Sequence, residues 1–225
     1  MRPSAMPVFV CLIAFHFSTT SANEDKSSRW EESIKKFEAM DKLSPPEKSG
    51  VLFIGSSSIR NWNLEKYFPK QDYINRGFGG SEIVDSTYFA KRIITPYAPR
   101  VIVLYAGDND IARGKSPEQV VADFREFVKV VQTELPSSRI VFIAIKPSIS
   151  RWKLVDKMRV ANTKIKAITE NQSRLSFVDI DKPIIGKDGM PRRELFAKDG
   201  LHLSDAGYKL WTSLVKPHLG QKPVE

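Results

Sequence analysis

Val51-Leu52-Phe53-Ile54-Gly55-Ser56-Ser57-Ser58-Ile59 changes character half-way along. Four apolar residues with no polar alternation read as a strand covered on both faces. A glycine and three serines then break the run, and the chain turns towards a helical pattern. The same succession recurs downstream. Residues 73–75 read as a short second strand, 101–105 as a third, 140–145 as a fourth and 177–180 as a fifth. Helical spacing covers residues 81–94, 117–135 and 153–171, with another helix before the first strand (30–43) and one at the end (204–219). Pro45-Pro46 stops the first helix; Ser116-Pro117 supplies a cap and a helix-compatible first residue for the long one. Buried strands alternating with helices predict an α/β fold. It is a three-layer α/β/α sandwich with a five-stranded parallel sheet and right-handed crossovers. In such sheets, sites gather in the loops beyond the carboxyl ends of the strands.

Outward from this core, the amino end reads differently. Arg2 precedes an apolar run over residues 7–17, and small residues close it at Thr20-Ser21-Ala22. This is the pattern of a secretory signal peptide, residues 1–22. The run is too short to span a bilayer, although an uncleaved anchor is the competing reading. Cleavage would leave residues 23–225 as one domain of about 200 residues, enough for a single core. The protein is therefore expected to be secreted or periplasmic, without stable membrane insertion after cleavage. Cys11 is the one cysteine and falls inside the signal. The residues before it, Val8-Phe9-Val10, lack the small residue a lipidated cysteine needs. The mature chain would have no disulfide, no thiolate nucleophile and no cysteine metal site, and neither a metal nor an organic cofactor is expected. The formal charge of +9 favours anionic partners in general. No aromatic-basic tract accompanies it, so nucleic acid is not expected as a partner.

Outside the signal only His202 and His218 remain. A histidine serving as general base at neutral pH is thus nearly chosen already. Asp199-Gly200-Leu201-His202 places a carboxylate three residues before an imidazole on a Gly-containing turn, within reach of Nδ1. A surface Asp and His leading into the last helix would look the same. His218 follows Pro217 at the end of that helix and is read as structural. The serine run after the first strand admits three readings: a helix cap, a nucleophile at a helix start, or a hydroxyl-rich phosphate loop. After the second strand comes Asn75-Arg76-Gly77-Phe78-Gly79-Gly80-Ser81, where adjacent glycines let backbone N–H groups approach a ligand or simply make a turn. After the third comes Gly107-Asp108-Asn109-Asp110. Its amide could donate to an oxyanion, and an Asx-type turn is the plainer alternative.

The order of these segments resembles the SGNH hydrolases, also called GDSL esterases and lipases. The resemblance runs over residues 50–215. The family's first block matches Phe53-Ile54-Gly55-Ser56-Ser57-Ser58 and puts the nucleophile on Ser57. The second matches Asn75, Gly77 and Gly80, and carries the oxyanion glycine onto Gly80. The third matches Gly107, Asn109 and Asp110, with Asn109 as the amide donor. The last matches Asp199 and His202. Two positions depart: Ser56 stands where the family usually has Asp, and Ser58 where it has Leu. The resemblance implies a flavodoxin-like fold and a serine esterase working through an acyl-enzyme. Ser57, His202 and Asp199 would form the triad. The Ser57 and Gly80 N–H groups and the Asn109 side chain would form the oxyanion hole. With no long insertion to act as a lid, the implied substrates are small or short acyl esters, including acetyl groups on carbohydrate. An acyltransferase acting on a sugar, or a non-catalytic carbohydrate- or phosphate-binding module, would share this pocket.

Overall fold

The computed structural model describes residues 27–220. The signal-peptide reading lies outside them. Among the described residues, five strands form one all-parallel sheet in the order β2-β1-β3-β4-β5. These are β1 Val51–Gly55, β2 Ile74–Gly77, β3 Val101–Tyr105, β4 Arg139–Ile143 and β5 Leu175–Val178. Ten α-helices accompany them: α1 Glu31–Leu43, α2 Ser57–Arg60, α3 Leu64–Tyr67, α4 Ile83–Tyr88, α5 Ala90–Ile93, α6 Asp108–Ala112, α7 Pro117–Glu134, α8 Val155–Glu170, α9 Asp181–Ile184 and α10 Asp205–Val215.

β1 and β3 are apolar throughout, and β4 is apolar after Arg139, because both faces are covered, and the two-residue period of a strand sorts each run between them. Leu52, Ile54, Ile102, Leu104, Ile140 and Phe142 face one layer, where α1, α4, α5, α7 and α8 pack. Val51, Phe53, Val101, Val103, Tyr105, Val141 and Ile143 face the other, against α2, α3, α9 and α10. The second layer is aromatic. Trp62 meets Phe53 at 5.3 Å and Trp211 at 5.7 Å, and Trp211 meets Tyr105 at 4.7 Å between ring centroids. The expected α/β/α sandwich is therefore the observed one.

Several boundaries differ from the sequence reading. β2 runs on through Asn75, Arg76 and Gly77, paired with Phe53, Ile54 and Gly55. A charge inside the strand hid this. Arg76 is buried, but its guanidinium donates to Asp41 and to the Tyr97 hydroxyl (3.0 Å), which satisfies it. The single helix expected over residues 81–94 is two, α4 and α5, parted at Phe89. That residue has ψ 4° and a buried ring set edge-on to Phe78. β4 leaves the sheet before its apolar run ends, because the Asn162 amide takes over both backbone groups of Ile145 (2.8 and 2.9 Å). β5 lies two residues earlier than expected. The Asp179 side chain accepts from Asp181 N (2.9 Å), making the turn that starts α9.

β1 has neighbours on both sides, and the direction of winding reverses between β1 and β3. A crevice opens at such a reversal, beyond the carboxyl ends of the two strands. Gly55 makes the turn there possible. It has φ +133°, and a Cβ at this position would lie 1.9 Å from the Tyr105 carbonyl oxygen. Only glycine lets β1 pass β3 this closely and still turn into α2.

Candidate active site

Ser56, Ser57 and Ser58 have different environments although they are consecutive. Ser56 and Ser58 are each 1% exposed, whereas Ser57 is half-buried and open to the crevice. Ser56 precedes α2, but its side chain makes no capping hydrogen bond. The helix-cap reading of the serine run is therefore not realised. Ser57 is the first residue of α2, where a backbone N–H has no acceptor within the helix.

The Asp199-to-His202 turn reaches this serine. One Asp199 oxygen accepts from the backbone N–H groups of Leu201 (2.9 Å) and His202 (3.0 Å), which builds the turn. The other lies 2.6 Å from His202 Nδ1. A carboxylate can only accept, so Nδ1 carries the proton and Nε2 is left as an acceptor. Nε2 stands 3.0 Å from Ser57 Oγ. The hydrogen bond from His202, followed by the Leu201 N–H, holds the Asp199 carboxyl down at about 2. Asp199 therefore stays ionised throughout the pH range in which an imidazole acts. A hydroxyl, an imidazole and a carboxylate in this order allow the ring to take the hydroxyl proton while the carboxylate steadies the resulting cation.

Both segments are held from behind. The Asn75 amide donates to the carbonyls of Ile59 (2.8 Å) and Trp62 (3.1 Å) and accepts from Gly77 N (2.9 Å), so it clamps the end of α2 to β2. Tyr208 on α10 donates to the Ser58 carbonyl (3.0 Å). The Asp–His turn is closed by Ala197 N on the His202 carbonyl (2.8 Å) and by Ser150 N on that of Gly200 (3.1 Å).

Gly80 and Asn109 meet at the same edge. Gly80 has φ +79°, a left-handed conformation that favours glycine, and Trp30 lies where a side chain would go (3.3 Å). Its carbonyl accepts from Arg113 (2.9 Å). Asn109 is buried on α6, and its Nδ2 donates to the carbonyl of Ser81, next to Gly80, at 3.0 Å. Asp110, the other polar residue of that segment, does structural work: its Oδ1 accepts from Ile83 N at the start of α4 (3.2 Å). Burial raises its carboxyl to about 6. His218 is elsewhere, in a 3-10 turn where its carbonyl accepts from Arg139 at the opening of β4, the other end of the sheet.

The sequence reading gave no role to three charged residues beneath the crevice, Asp108, Lys146 and Arg151. Lys146 follows β4 and is 1% exposed. Its ammonium reaches Tyr105 OH (2.9 Å), Asp108 Oδ2 (3.0 Å) and Ser58 Oγ (3.3 Å). Arg151 Nη1 lies 3.1 Å from the same Asp108 oxygen. A lysine closing an apolar run reads as surface, so only its position past a strand's carboxyl end could have marked it.

Comparison with known proteins bears on this geometry. The model of the GDSL-like Lipase/Acylhydrolase family matches residues 54–210. The chain belongs to that family. The match runs from the end of β1 into α10 and includes Ser57, Gly80, Asn109, Asp199 and His202, and membership makes the chain a carboxylic ester hydrolase. Solved structures share the fold at low identity. A candidate platelet activating factor from Streptococcus pneumonia superposes with a TM-score of 0.76 at 23% identity, over 89% of this chain and 97% of that one. A GDSL-like lipase from Bacteroides thetaiotaomicron gives 0.72 at 17%, over 83% and 96%. A catalytic mutant of an acetylxylan esterase from Geobacillus stearothermophilus gives 0.62 at 16%, over 80% and 98%. No curated protein matches the chain.

Proposed function

We propose that this hydrolase is a secreted or periplasmic serine esterase of small or short acyl esters, with acetyl groups on carbohydrate as the natural substrate class. The observation that carries the reading is the continuous path Ser57 Oγ–His202 Nε2 (3.0 Å) and His202 Nδ1–Asp199 (2.6 Å). Ser57 Oγ attacks the ester carbonyl while His202 takes its proton. The carbonyl oxygen, now negative, receives the N–H groups of Ser57 and Gly80 and the second Nδ2 hydrogen of Asn109. His202 then gives the proton to the departing alcohol, and water repeats the cycle on the acyl-enzyme. The openness of the triad supports a bulky, polar alcohol: the His202 and Asp199 side chains are 30% and 49% exposed. The acetylxylan esterase that shares the fold prompts the choice of acetyl.

p-Nitrophenyl esters of increasing chain length test the acyl preference, with and without a sugar acceptor. Turnover is expected to be fastest for acetyl and to fall as the chain lengthens. A rate that rises with length defeats the short-acyl reading. Acyl-sugar product in place of free acid makes the protein an acyltransferase.

Three further results are expected. Asn109→Ala lowers kcat by a factor on the order of 100 to 1,000 with KM nearly unchanged, because the bond forms mainly in the transition state. A raised KM with kcat intact would instead make Asn109 a substrate-binding residue. Nε2 of His202 must be free of a proton to accept from Ser57, and Asp199, ionised down to about 2, keeps the proton on Nδ1. Accordingly Asp199→Ala costs activity less completely than His202→Ala, since it orients the ring without taking the proton. If Asp199→Ala equals His202→Ala, Asp199 does more than orient. Finally, intact-mass analysis of exported protein shows an amino terminus near Asn23; a retained Met1 in a cytosolic fraction defeats the localisation.

A further inference from the structure

The amide of Asn109 must point one way to serve an oxyanion. Its oxygen and nitrogen are nearly the same size, and a half-turn about the last side-chain bond would present the oxygen to the developing negative charge. The two partners of Asn109 exclude that half-turn. Arg151 Nη2 lies 2.9 Å from Oδ1, and a guanidinium can only donate. The Ser81 carbonyl lies 3.0 Å from Nδ2 and can only accept.

Arg151 in turn is held by charge. Asp108 Oδ2 is shared between Arg151 (3.1 Å) and Lys146 (3.0 Å), and the Lys146 and Asp108 side chains are 1% and 6% exposed. Stability alone does not account for this group. Desolvating ions costs more than such a pair usually returns, and Asp108 Oδ1 is buried with no hydrogen-bond partner. Burial pushes the Lys146 ammonium down, against the pull of Asp108. Burial likewise works to raise Asp108, and Lys146 and Arg151 overcome it. Two cations, Lys146 and Arg151, thus meet at one buried carboxylate oxygen behind the oxyanion donor, and the Asp199 carboxylate also acts on Lys146. The same segment braces the triad through the bond from Ser150 N to the Gly200 carbonyl.

We infer that Arg151 is the positioning residue of the oxyanion donor Asn109, fixing the direction of its amide, and that the buried Lys146–Asp108 pair fixes Arg151. This rests on the proposed role of Asn109. Arg151 does not touch the reacting atoms; it acts through Asn109. Its side chain is 19% exposed, but Nη1 is buried against Asp108, so the stability of each variant must be followed beside its activity.

The test is a double-mutant cycle on p-nitrophenyl acetate, with thermal melting of each variant. Arg151→Met is expected to lower kcat by about tenfold or more and leave KM within about twofold. Arg151→Lys, which keeps a cationic donor, recovers part of the loss. In the Asn109→Ala background Arg151→Met has no further effect, because residues acting as a unit are non-additive. Arg151→Gln carries the same comparison if Arg151→Met does not fold. Effects that multiply in the double variant overturn the inference while leaving the esterase reading intact. So does a raised KM with kcat unchanged, which would make Arg151 a substrate contact. If Asn109→Ala alone leaves kcat unchanged, the oxyanion reading fails first and the inference falls with it.

Discussion

Ser57→Ala lowers kcat by a factor on the order of 10⁶, the scale of losing the nucleophile of a serine hydrolase, with little change in stability. Its two neighbours behave differently. Ser56 Oγ is buried with no hydrogen-bond partner, so Ser56→Ala removes nothing the site uses. Ser58 Oγ receives only the longest of the Lys146 bonds (3.3 Å), and Lys146 keeps Tyr105 and Asp108. Ser58→Ala therefore retains most of the activity. His202→Ala costs about as much as Ser57→Ala. The double variant is no worse than Ser57→Ala alone, because hydroxyl and imidazole act as one unit. Steady-state kinetics on a short ester checks all five variants; losses that multiply would separate the two residues mechanistically.

Gly55→Ala is expected to be strongly destabilising. The new Cβ would sit 1.9 Å from the Tyr105 carbonyl oxygen and 2.7 Å from its carbon, in the middle of the sheet where neither strand can retreat. The backbone there, at φ +133°, is also strained for any side chain. A loss above about 4 kcal/mol follows from these two effects, a large part of the 5–15 kcal/mol that holds a typical domain (roughly, for any sequence). Gly114 is the control. It too has positive φ (+96°), but nothing lies within 4 Å of its Cβ position, so Gly114→Ala costs only about 1–2 kcal/mol of backbone strain. Denaturant melts of the two variants separate crowding from backbone conformation. Equal losses would remove the crowding argument.

The sheet and the candidate acid–base residues were the most legible parts of the sequence. Strands buried on both faces leave unbroken apolar runs, and residues 27–220 hold only two histidines, which offers few bases. The nucleophile was harder. Three adjacent serines are alike by composition, and the fold separates them by burial, leaving only Ser57 open to the crevice. At Arg76 and Lys146, where the reading failed, buried charge was the cause. Arg76 sits inside β2 because Asp41 and Tyr97 meet it from α1 and from the 3-10 turn after α5. Lys146 lies under the crevice because Asp108 and Tyr105 meet it from α6 and β3 respectively. Partners this far apart in sequence leave no local pattern, so an arginine or lysine at such a place is indistinguishable from a surface one. Asn75 shows a related limit. Its match to the family's second block marked it, but its clamp on the end of α2 depends on two carbonyls, of Ile59 and Trp62, that no spacing rule reveals.

The central claim is that Ser57, among three consecutive serines, is the residue His202 activates. Labelling with a fluorophosphonate, followed by peptide mass spectrometry, reads this directly, because the reagent forms a stable adduct only on a hydroxyl whose proton a neighbouring base removes. The adduct is expected on Ser57, lost in Ser57→Ala and in His202→Ala, and kept in Ser58→Ala. A stable adduct on Ser58, or labelling of Ser57 that persists without His202, would contradict the account.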